Sequence, residues 1–179
     1  MVGYAATARM RSGEPPIAGR MYHERSEWWQ SILKIPAPRI VVLEDIDNPP
    51  GRGAFLGDMH AAILRALGCV GYVTNGAVRE LQRVLGLGLH VFAGNVAVSH
   101  AYAHIFDFGN AVQIGGLTID PGDLLHGDEN GLLAVPKEIV AEIPQVAVRL
   151  EKNERAVIDF CRSQEFSVDG LCRMLKELF

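Results

Sequence analysis

The sequence contains no long apolar run and no recognisable leader. None of its apolar stretches approaches the roughly 18 residues that a membrane-spanning helix needs. It also lacks a basic segment followed by a short apolar core, the pattern typical of a secretory signal. We therefore expect a soluble, cytoplasmic protein with no membrane partner.

Positive charge and cysteine are both scarce. Lys and Arg number 17 against 21 Asp and Glu, so the net charge is −4, whereas a protein that binds a nucleic acid backbone needs a basic surface. We therefore expect no nucleic acid partner. The cysteines Cys69, Cys161 and Cys172 are odd in number and form no C-x-x-C pair, which favours reduced, mostly buried thiols over disulfides.

The sequence does have the composition of a globular protein. Of its 179 residues, 49% are hydrophobic and 21% are charged, which excludes a disordered chain. A chain of this length can bury enough surface to fold without a disulfide or a structural metal. We predict a single domain over residues 1–179.

Hydrophobic periodicity predicts alternating strands and helices along the first half of the chain. Strands are expected at residues 2–8 (as an edge strand), 39–46, 69–74 and 90–93, and helices at 57–68 and 78–85. Short strands separated by turns between residues 112 and 135 indicate a β-meander. Residues 137–164 are predicted to be mostly helical, with a bend or break at Pro144, and 167–178 to form a terminal helix with Ser167 as its N-cap. This order predicts a layered α/β domain with C-terminal helices.

The segment from Gly57 to Glu80 carries the candidate chemistry. Asp58 stands in the first turn of a predicted helix, whose free N–H groups and dipole favour an anion. We expect the next strand to bring Arg79 and Glu80 to the same end of the sheet. A guanidinium suits a carboxylate, and two carboxylates without a thiolate suit Mg²⁺ or Mn²⁺. The same residues are equally compatible with a helix-start carboxylate and solvated charges.

Several motifs resemble those of the RraA-like family, named for the regulator of ribonuclease E activity A. Gly57-Asp58-Met59-His60 and Asn75-Gly76-Ala77-Val78-Arg79-Glu80 resemble the two halves of its signature, an acidic residue, twenty spacers and Arg-Asp. Residues 2–7, 112–122, 123–136 and 155–167 also look like family segments. The family includes 4-hydroxy-4-methyl-2-oxoglutarate aldolases and members formerly labelled dimethylmenaquinone methyltransferases.

The resemblance implies a swivelling β/β/α fold that assembles as a homotrimer or dimer of trimers, with active sites between subunits. It implies that a 2-oxo acid is held by Arg79 and by the backbone amides of Gly57, Asp58, Met59 and His60. The implied activity is cleavage of 4-hydroxy-4-methyl-2-oxoglutarate, decarboxylation of oxaloacetate, or both, since the two reactions share a pyruvate enolate.

The resemblance also implies a divalent cation, Mg²⁺ or Mn²⁺. Glu80 would ligate it directly and Asp58 would hold a metal-bound water. A glutamate from a neighbouring subunit would approach the metal waters, for which Glu154 is the first candidate and Glu151 the second.

The sequence departs from the family pattern at three places. Glu80 stands where Asp is usual, and its extra methylene moves the ligand oxygens. His60 stands where an aliphatic residue is usual, so its imidazole can alter the pocket or act as an acid or base. The segment that precedes the family's first core strand is not present in the sequence.

Three alternatives stay open at this point. The chain can be a non-enzymatic regulator that binds and inhibits a ribonuclease, or a degenerate, inactive member of the family. His100 and His104 have a spacing that can place two imidazoles on one helical face for zinc, with Asp107 as a third ligand, but loop packing explains these histidines more simply.

Overall fold

The structure is a computed structural model that describes residues 1–16 and 25–179. The chain forms two compact units, Met1–Val135 and Pro136–Phe179. The single domain over residues 1–179 stays a prediction. No helix in the described part of the chain is long and apolar enough to span a membrane.

The first unit contains short helices and many short strands. Its helices are α1 (Arg25–Lys34), α2 (Asp58–Ala66) and α3 (Leu81–Gly86). Its strands are β1 (Val2–Arg11), β2 (Arg39–Asp45), β3 (Ala54–Leu56), β4 (Cys69–Val73), β5 (Ala77–Val78), β6 (His90–Phe92), β7 (Asn95–Val96), β8 (His104–Phe108), β9 (Val112–Ile114), β10 (Leu117–Ile119), β11 (Leu124–Asp128) and β12 (Gly131–Val135).

The main sheet has seven strands, in the order β12–β11–β1–β2–β4–β6, with β8 also paired to β1. β1, β2, β4 and β6 run parallel, while β11 and β8 pair antiparallel with opposite ends of β1. The prediction of β1 as an edge strand is therefore wrong. Its central residues, from Ala5 to Ala8, are all buried, which fits a strand with neighbours on both sides.

The core covers both faces of the main sheet. Val41 and Leu43 of β2 pack in one apolar cluster with Trp28, Phe55 and other side chains. The alternate residues of β2, Ile40 and Val42, pack in a second cluster on the other face. The strand predicted at residues 39–46 is thereby confirmed as β2, and it is buried on both faces.

A second, smaller sheet positions the candidate site. It consists of β3, β5 and β7, which run parallel, with Leu56 opposite Val78. Each of these strands has only two or three residues, too few for a periodic pattern, and none was predicted. Val78 and Arg79 were expected inside a helix. Instead Val78 ends β5, and α3 begins only at Leu81.

The predicted meander is two separate hairpins. β9 and β10 form a two-stranded sheet of their own, whereas β11 and β12 join the main sheet. Turns separate the short strands as predicted, with Gly115-Gly116 in the first hairpin and Glu129-Asn130 in the second. β10 and β11 follow each other in the chain but are not paired, since they belong to different sheets.

The second unit is helical. A short 3-10 helix, Lys137–Ile139, precedes α4 (Ile143–Arg162) and α5 (Val168–Leu178). Pro144 lies in the first turn of α4, where its missing N–H costs little. The bend or break predicted at Pro144 is therefore the start of a helix. The Ser167 hydroxyl accepts a hydrogen bond from the Gly170 N–H at 3.2 Å, which confirms the predicted N-cap.

The cysteines differ in their exposure. All three are free thiols, as predicted. Cys69 is buried, and burial raises its thiol pKa to about 11. Cys161 and Cys172 are exposed on the helical unit, so the prediction of mostly buried thiols is wrong.

Candidate active site

Gly57 connects β3 to the N-terminus of α2. It is the N-cap residue, with φ −135° and ψ −173°, an extended conformation open to any residue. Asp58 follows in the first turn, and its Oδ1 accepts the N–H of Met59 at 2.7 Å. The helix start predicted near Gly57 is confirmed.

Arg79 and Glu80 follow β5 and lie beside Gly57. The Arg79 N–H donates to the carbonyl of Leu56 at 2.9 Å, which extends the pairing between β3 and β5. The two segments named by the sequence therefore meet, through the small sheet instead of the main one. A Cβ on Gly57 would lie 3.1 Å from Arg79 Nε, so the missing side chain permits this approach.

The Glu80 carboxylate bridges the two segments. Its Oε1 accepts from Arg79 Nη1 at 2.8 Å, and its Oε2 accepts from the Asp58 N–H at 3.0 Å. Glu80 adopts a left-handed backbone, with φ 55° and ψ 34°. For a residue other than glycine this conformation costs roughly 1–2 kcal/mol, which the surrounding contacts must offset.

The amides expected to be free for an anion are partly occupied by the chain itself. Glu80 takes the N–H of Asp58, and the Asp58 side chain takes the N–H of Met59. One donor is open instead, because Arg79 Nε is buried and has no hydrogen-bond partner in the part of the chain that the structure describes. The part of the site that is predicted to bind an anion thus contains an internal carboxylate and, within the described residues, a guanidinium N–H without a partner.

Asp58 is ionised more readily than an ordinary aspartate. Its pKa is lowered, first by the hydrogen bond from the Met59 N–H, then by contact with the Glu80 carboxyl group and with Arg83. Arg83 Nη1 lies 3.3 Å from Asp58 Oδ2 and is largely exposed, so this ion pair is a weak one.

His60 lies behind the site in a buried aromatic and cationic cluster. Its ring centroid is 4.9 Å from that of Phe55 and 6.5 Å from that of His100. Arg25 donates to His60 Nε2, so the ring proton of the neutral imidazole lies on Nδ1. Burial, followed by the charges of Arg25, His100 and Arg79, lowers the pKa of His60 to about 4. His60 is therefore neutral near pH 7.

The sequence did not reveal Arg25, Phe55 or His100 as neighbours of the site. Each comes from a different segment, and none belongs to a motif that points to this site. The Arg25 guanidinium carbon lies 4.8 Å from the centre of the Phe55 ring. The spacing of His100 and His104 suggested a zinc pair instead, but His104 begins β8 and Asp107 is ion-paired with Arg9. The two histidines do not share a helical face.

Asp58 and Glu80 form a donor set that fits a divalent cation. Glu80 Oε2 accepts the N–H of Asp58 at 3.0 Å, so the two residues are in contact, and both offer the hard oxygen ligands that Mg²⁺ and Mn²⁺ prefer. Within residues 1–16 and 25–179 no group of three or more His, Cys, Asp or Glu side chains could hold a metal. A cation here would keep most of its waters, as Mg²⁺ commonly does with one or two carboxylates.

Glu154 and Glu151 lie on α4 of the helical unit, where both are exposed. The approach of either residue to a neighbouring subunit's site stays a prediction.

Comparisons with known proteins agree with the fold and the motifs. The family model RraA-like, described as Aldolase/RraA, matches residues 1–134. A relative from Halalkalibacterium halodurans, provisionally named a 4-hydroxy-4-methyl-2-oxoglutarate aldolase, is 27% identical over 89% of this chain and 72% of its own length.

Two solved structures share the fold. A protein of Pseudomonas syringae pv. tomato is 22% identical, with a TM-score of 0.72 over 97% of this chain and 75% of its own. RraAS2 of Streptomyces coelicolor, described as an unusual member of the RNase ES inhibitor RraA family, is 23% identical, with a TM-score of 0.67 over 87% of this chain and 74% of its own. The predicted α/β class with C-terminal helices is confirmed. The match over three quarters of the sequence shows that the chain belongs to the RraA-like family.

Proposed function

We propose that this protein is a divalent-metal-dependent lyase that acts on a small 2-oxo acid. The observation that carries the proposal is the meeting of Arg79, the N-terminus of α2 and two carboxylates over Gly57. A guanidinium beside a helix N-terminus suits a carboxylate, and the paired carboxylates suit a hard cation. The provisional name of the relative from H. halodurans supports the same chemistry.

Arg79 is the proposed anchor for the substrate carboxylate. Its buried Nε–H has no partner within the described residues, and its Nη1–H is shared with Glu80. The Nε–H together with an Nη2–H forms the fork that binds a carboxylate through both oxygens, on the side of the guanidinium away from the Nη1–H that Glu80 accepts. Binding there would satisfy the open donor and orient the 2-oxo group toward Asp58 and Glu80.

Glu80 would hold the cation directly and Asp58 would hold one of its waters. A bound divalent cation supplies an electrophile that stabilises negative charge developing on the 2-oxo group. Asp58 is the proposed base, whose carboxylate can accept the proton that a 4-hydroxyl group loses. The electron pair of the broken carbon–carbon bond then forms the enolate of pyruvate, and protonation of its carbon releases pyruvate.

4-Hydroxy-4-methyl-2-oxoglutarate is the proposed substrate, and its cleavage gives two molecules of pyruvate. Oxaloacetate would lose CO₂ through the same enolate, without the need for a base to accept a hydroxyl proton. The proposed assembly is a homotrimer or dimer of trimers, in which Glu154 of one subunit approaches the site of the next. The test is metal-dependent pyruvate release that is lost in Arg79→Ala.

One observation favours a second candidate, a family member without catalytic activity that acts by binding a ribonuclease. Both Glu80 oxygens accept hydrogen bonds from the chain itself, so neither is committed to a ligand. RraAS2 of S. coelicolor belongs to a family described as RNase ES inhibitors, which supports this second role. A folded protein that neither binds pyruvate nor releases it would favour this candidate.

A further inference from the structure

We propose that Glu80 is an internal competitor for the substrate carboxylate and that its displacement sets the affinity of the site. This inference rests on the proposed function, because it assigns Arg79 to the carboxylate of a 2-oxo acid. It adds a role for Glu80 that is separate from metal ligation.

The Glu80 carboxylate lies where a bound carboxylate would lie. It accepts one N–H from the Arg79 guanidinium at 2.8 Å and one from the start of α2 at 3.0 Å. A guanidinium and a helix N-terminus are also the two groups that the site offers to a substrate. An incoming carboxylate cannot accept the Asp58 N–H, or the Nη1–H of Arg79, while Glu80 holds them.

Gly57 shows how closely this space is filled. A Cβ at Gly57 would lie 2.6 Å from Glu80 Oε2, so the carboxylate rests directly against the glycine backbone. The longer side chain of Glu80 explains the contact, because an aspartate would end one carbon–carbon bond earlier. A shorter residue could not span Arg79 and the Asp58 N–H from the same backbone position.

The internal pair is incomplete, which makes it displaceable. Glu80 engages only one N–H of Arg79 and leaves the buried Nε–H without a partner in the described chain. A substrate carboxylate can engage the Nε–H and an Nη2–H as a fork and so gains bonds that Glu80 does not make. Glu80 also has a left-handed backbone, which is costly for a residue other than glycine. Release of its side chain removes the contacts that hold this conformation and so lets the backbone relax.

The same carboxylate is the proposed direct ligand of the cation, so the two binding events must be coupled. A cation that attracts Glu80 frees the Asp58 N–H and Arg79 Nη1, and a carboxylate that takes the Asp58 N–H frees Glu80. By linkage, each ligand then raises the affinity of the protein for the other.

The inference is tested by calorimetric titration of pyruvate into the whole protein, in chelator and then with Mn²⁺. In chelator we expect Glu80→Gln and Glu80→Asp to bind pyruvate about tenfold to a hundredfold more tightly than the unaltered protein, because the charge or the reach of the competitor is lost. Mn²⁺ should tighten pyruvate binding to the unaltered protein and leave Glu80→Gln unchanged. Thermal unfolding checks that each variant is folded, and aspartate tolerates the left-handed backbone at this position.

Arg79→Ala is the control that separates this inference from the proposed function. Unaltered affinity in both Glu80 variants, with binding lost in Arg79→Ala, would overturn the competitor role and leave the 2-oxo acid site standing. If neither the unaltered protein nor any Glu80 variant binds pyruvate more tightly than Arg79→Ala does, both the competitor role and the proposed 2-oxo acid site are wrong.

Discussion

Glu80 Oε2 lies 2.6 Å from the point at which a side chain on Gly57 would begin. This distance links the two halves of the sequence signature, which are more than twenty residues apart. It explains why a residue without a side chain is needed before Asp58, although the Gly57 backbone itself is extended and open to any residue.

Gly57→Ala should therefore impair the site more than the fold. The added methyl group would occupy the space of the carboxylate, and we expect turnover to fall roughly a hundredfold, as small misplacements of reacting groups can cause. The neighbouring atoms belong to flexible side chains, so the free energy of unfolding should fall by only about 1 kcal/mol.

Gly86→Ala is the matched control. Gly86 ends α3, and a Cβ there would meet no atom within 4 Å. The variant should keep full turnover and a stability equal to or slightly above that of the unaltered protein. Equal turnover in the two variants would contradict the role assigned to Gly57.

His60 should make the stability of the protein depend on pH. Its pKa is about 4 in the folded state against about 6.5 in the unfolded chain, so the unfolded state binds more protons between these values. The stability that His60 contributes is fully present above pH 6.5 and is lost as pH falls toward 4. From pH 7 to pH 5 we expect His60 alone to remove about 2 kcal/mol of unfolding free energy.

Urea unfolding at pH 7 and pH 5 measures this loss. His60→Gln keeps a side-chain acceptor for Arg25 but does not titrate, so it should lose less stability over the same interval. His100, whose pKa is also lowered, changes stability in the same direction in both proteins. An identical loss in the two proteins would show that His60 is not held neutral by the fold.

The sequence predicted that Asp58, Arg79 and Glu80 meet at one end of a sheet, but it placed Arg79 inside a helix and the meeting at the main sheet, whereas Arg79 and Glu80 follow β5 of the small sheet. It could not predict the cluster around His60, since α1, β3 and the loop that carries His100 come together only in the folded chain. The small sheet was missed because strands of two or three residues show no alternation. The bridge formed by Glu80 depends on side-chain length and a left-handed backbone, which no periodic pattern encodes.

Ser167→Ala should destabilise the helical unit. The Ser167 hydroxyl accepts the Gly170 N–H at 3.2 Å and so satisfies a donor at the start of α5. Loss of such a cap costs about 1 kcal/mol, which urea unfolding followed by helical circular dichroism would detect. Ser26→Ala, at an exposed position of α1, should change stability little; an equal loss there would argue against the cap.

Glu154 can be tested by complementation between subunits. If it completes a neighbouring site, Glu154→Gln should lower turnover about tenfold or more, whereas Glu151→Gln on the same helix should not. Arg79→Ala and Glu154→Gln, refolded together, should recover part of the activity, because some sites then receive an intact Arg79 and an intact Glu154 from different chains. Mixtures no more active than the separate variants would exclude a shared site formed by these two residues.

The most direct measurement of the central claim is pyruvate release from 4-hydroxy-4-methyl-2-oxoglutarate and from oxaloacetate, with Mg²⁺, with Mn²⁺ and with chelator. We predict turnover that requires the cation and that falls about tenfold to a hundredfold in Arg79→Ala, which loses a charge-assisted contact with the substrate. Arg83→Ala should retain turnover, because Arg83 is largely exposed and makes only a 3.3 Å contact with Asp58. Pyruvate release no faster than that of the cation alone, from a folded protein, would contradict the assignment of this chain as a metal-dependent lyase.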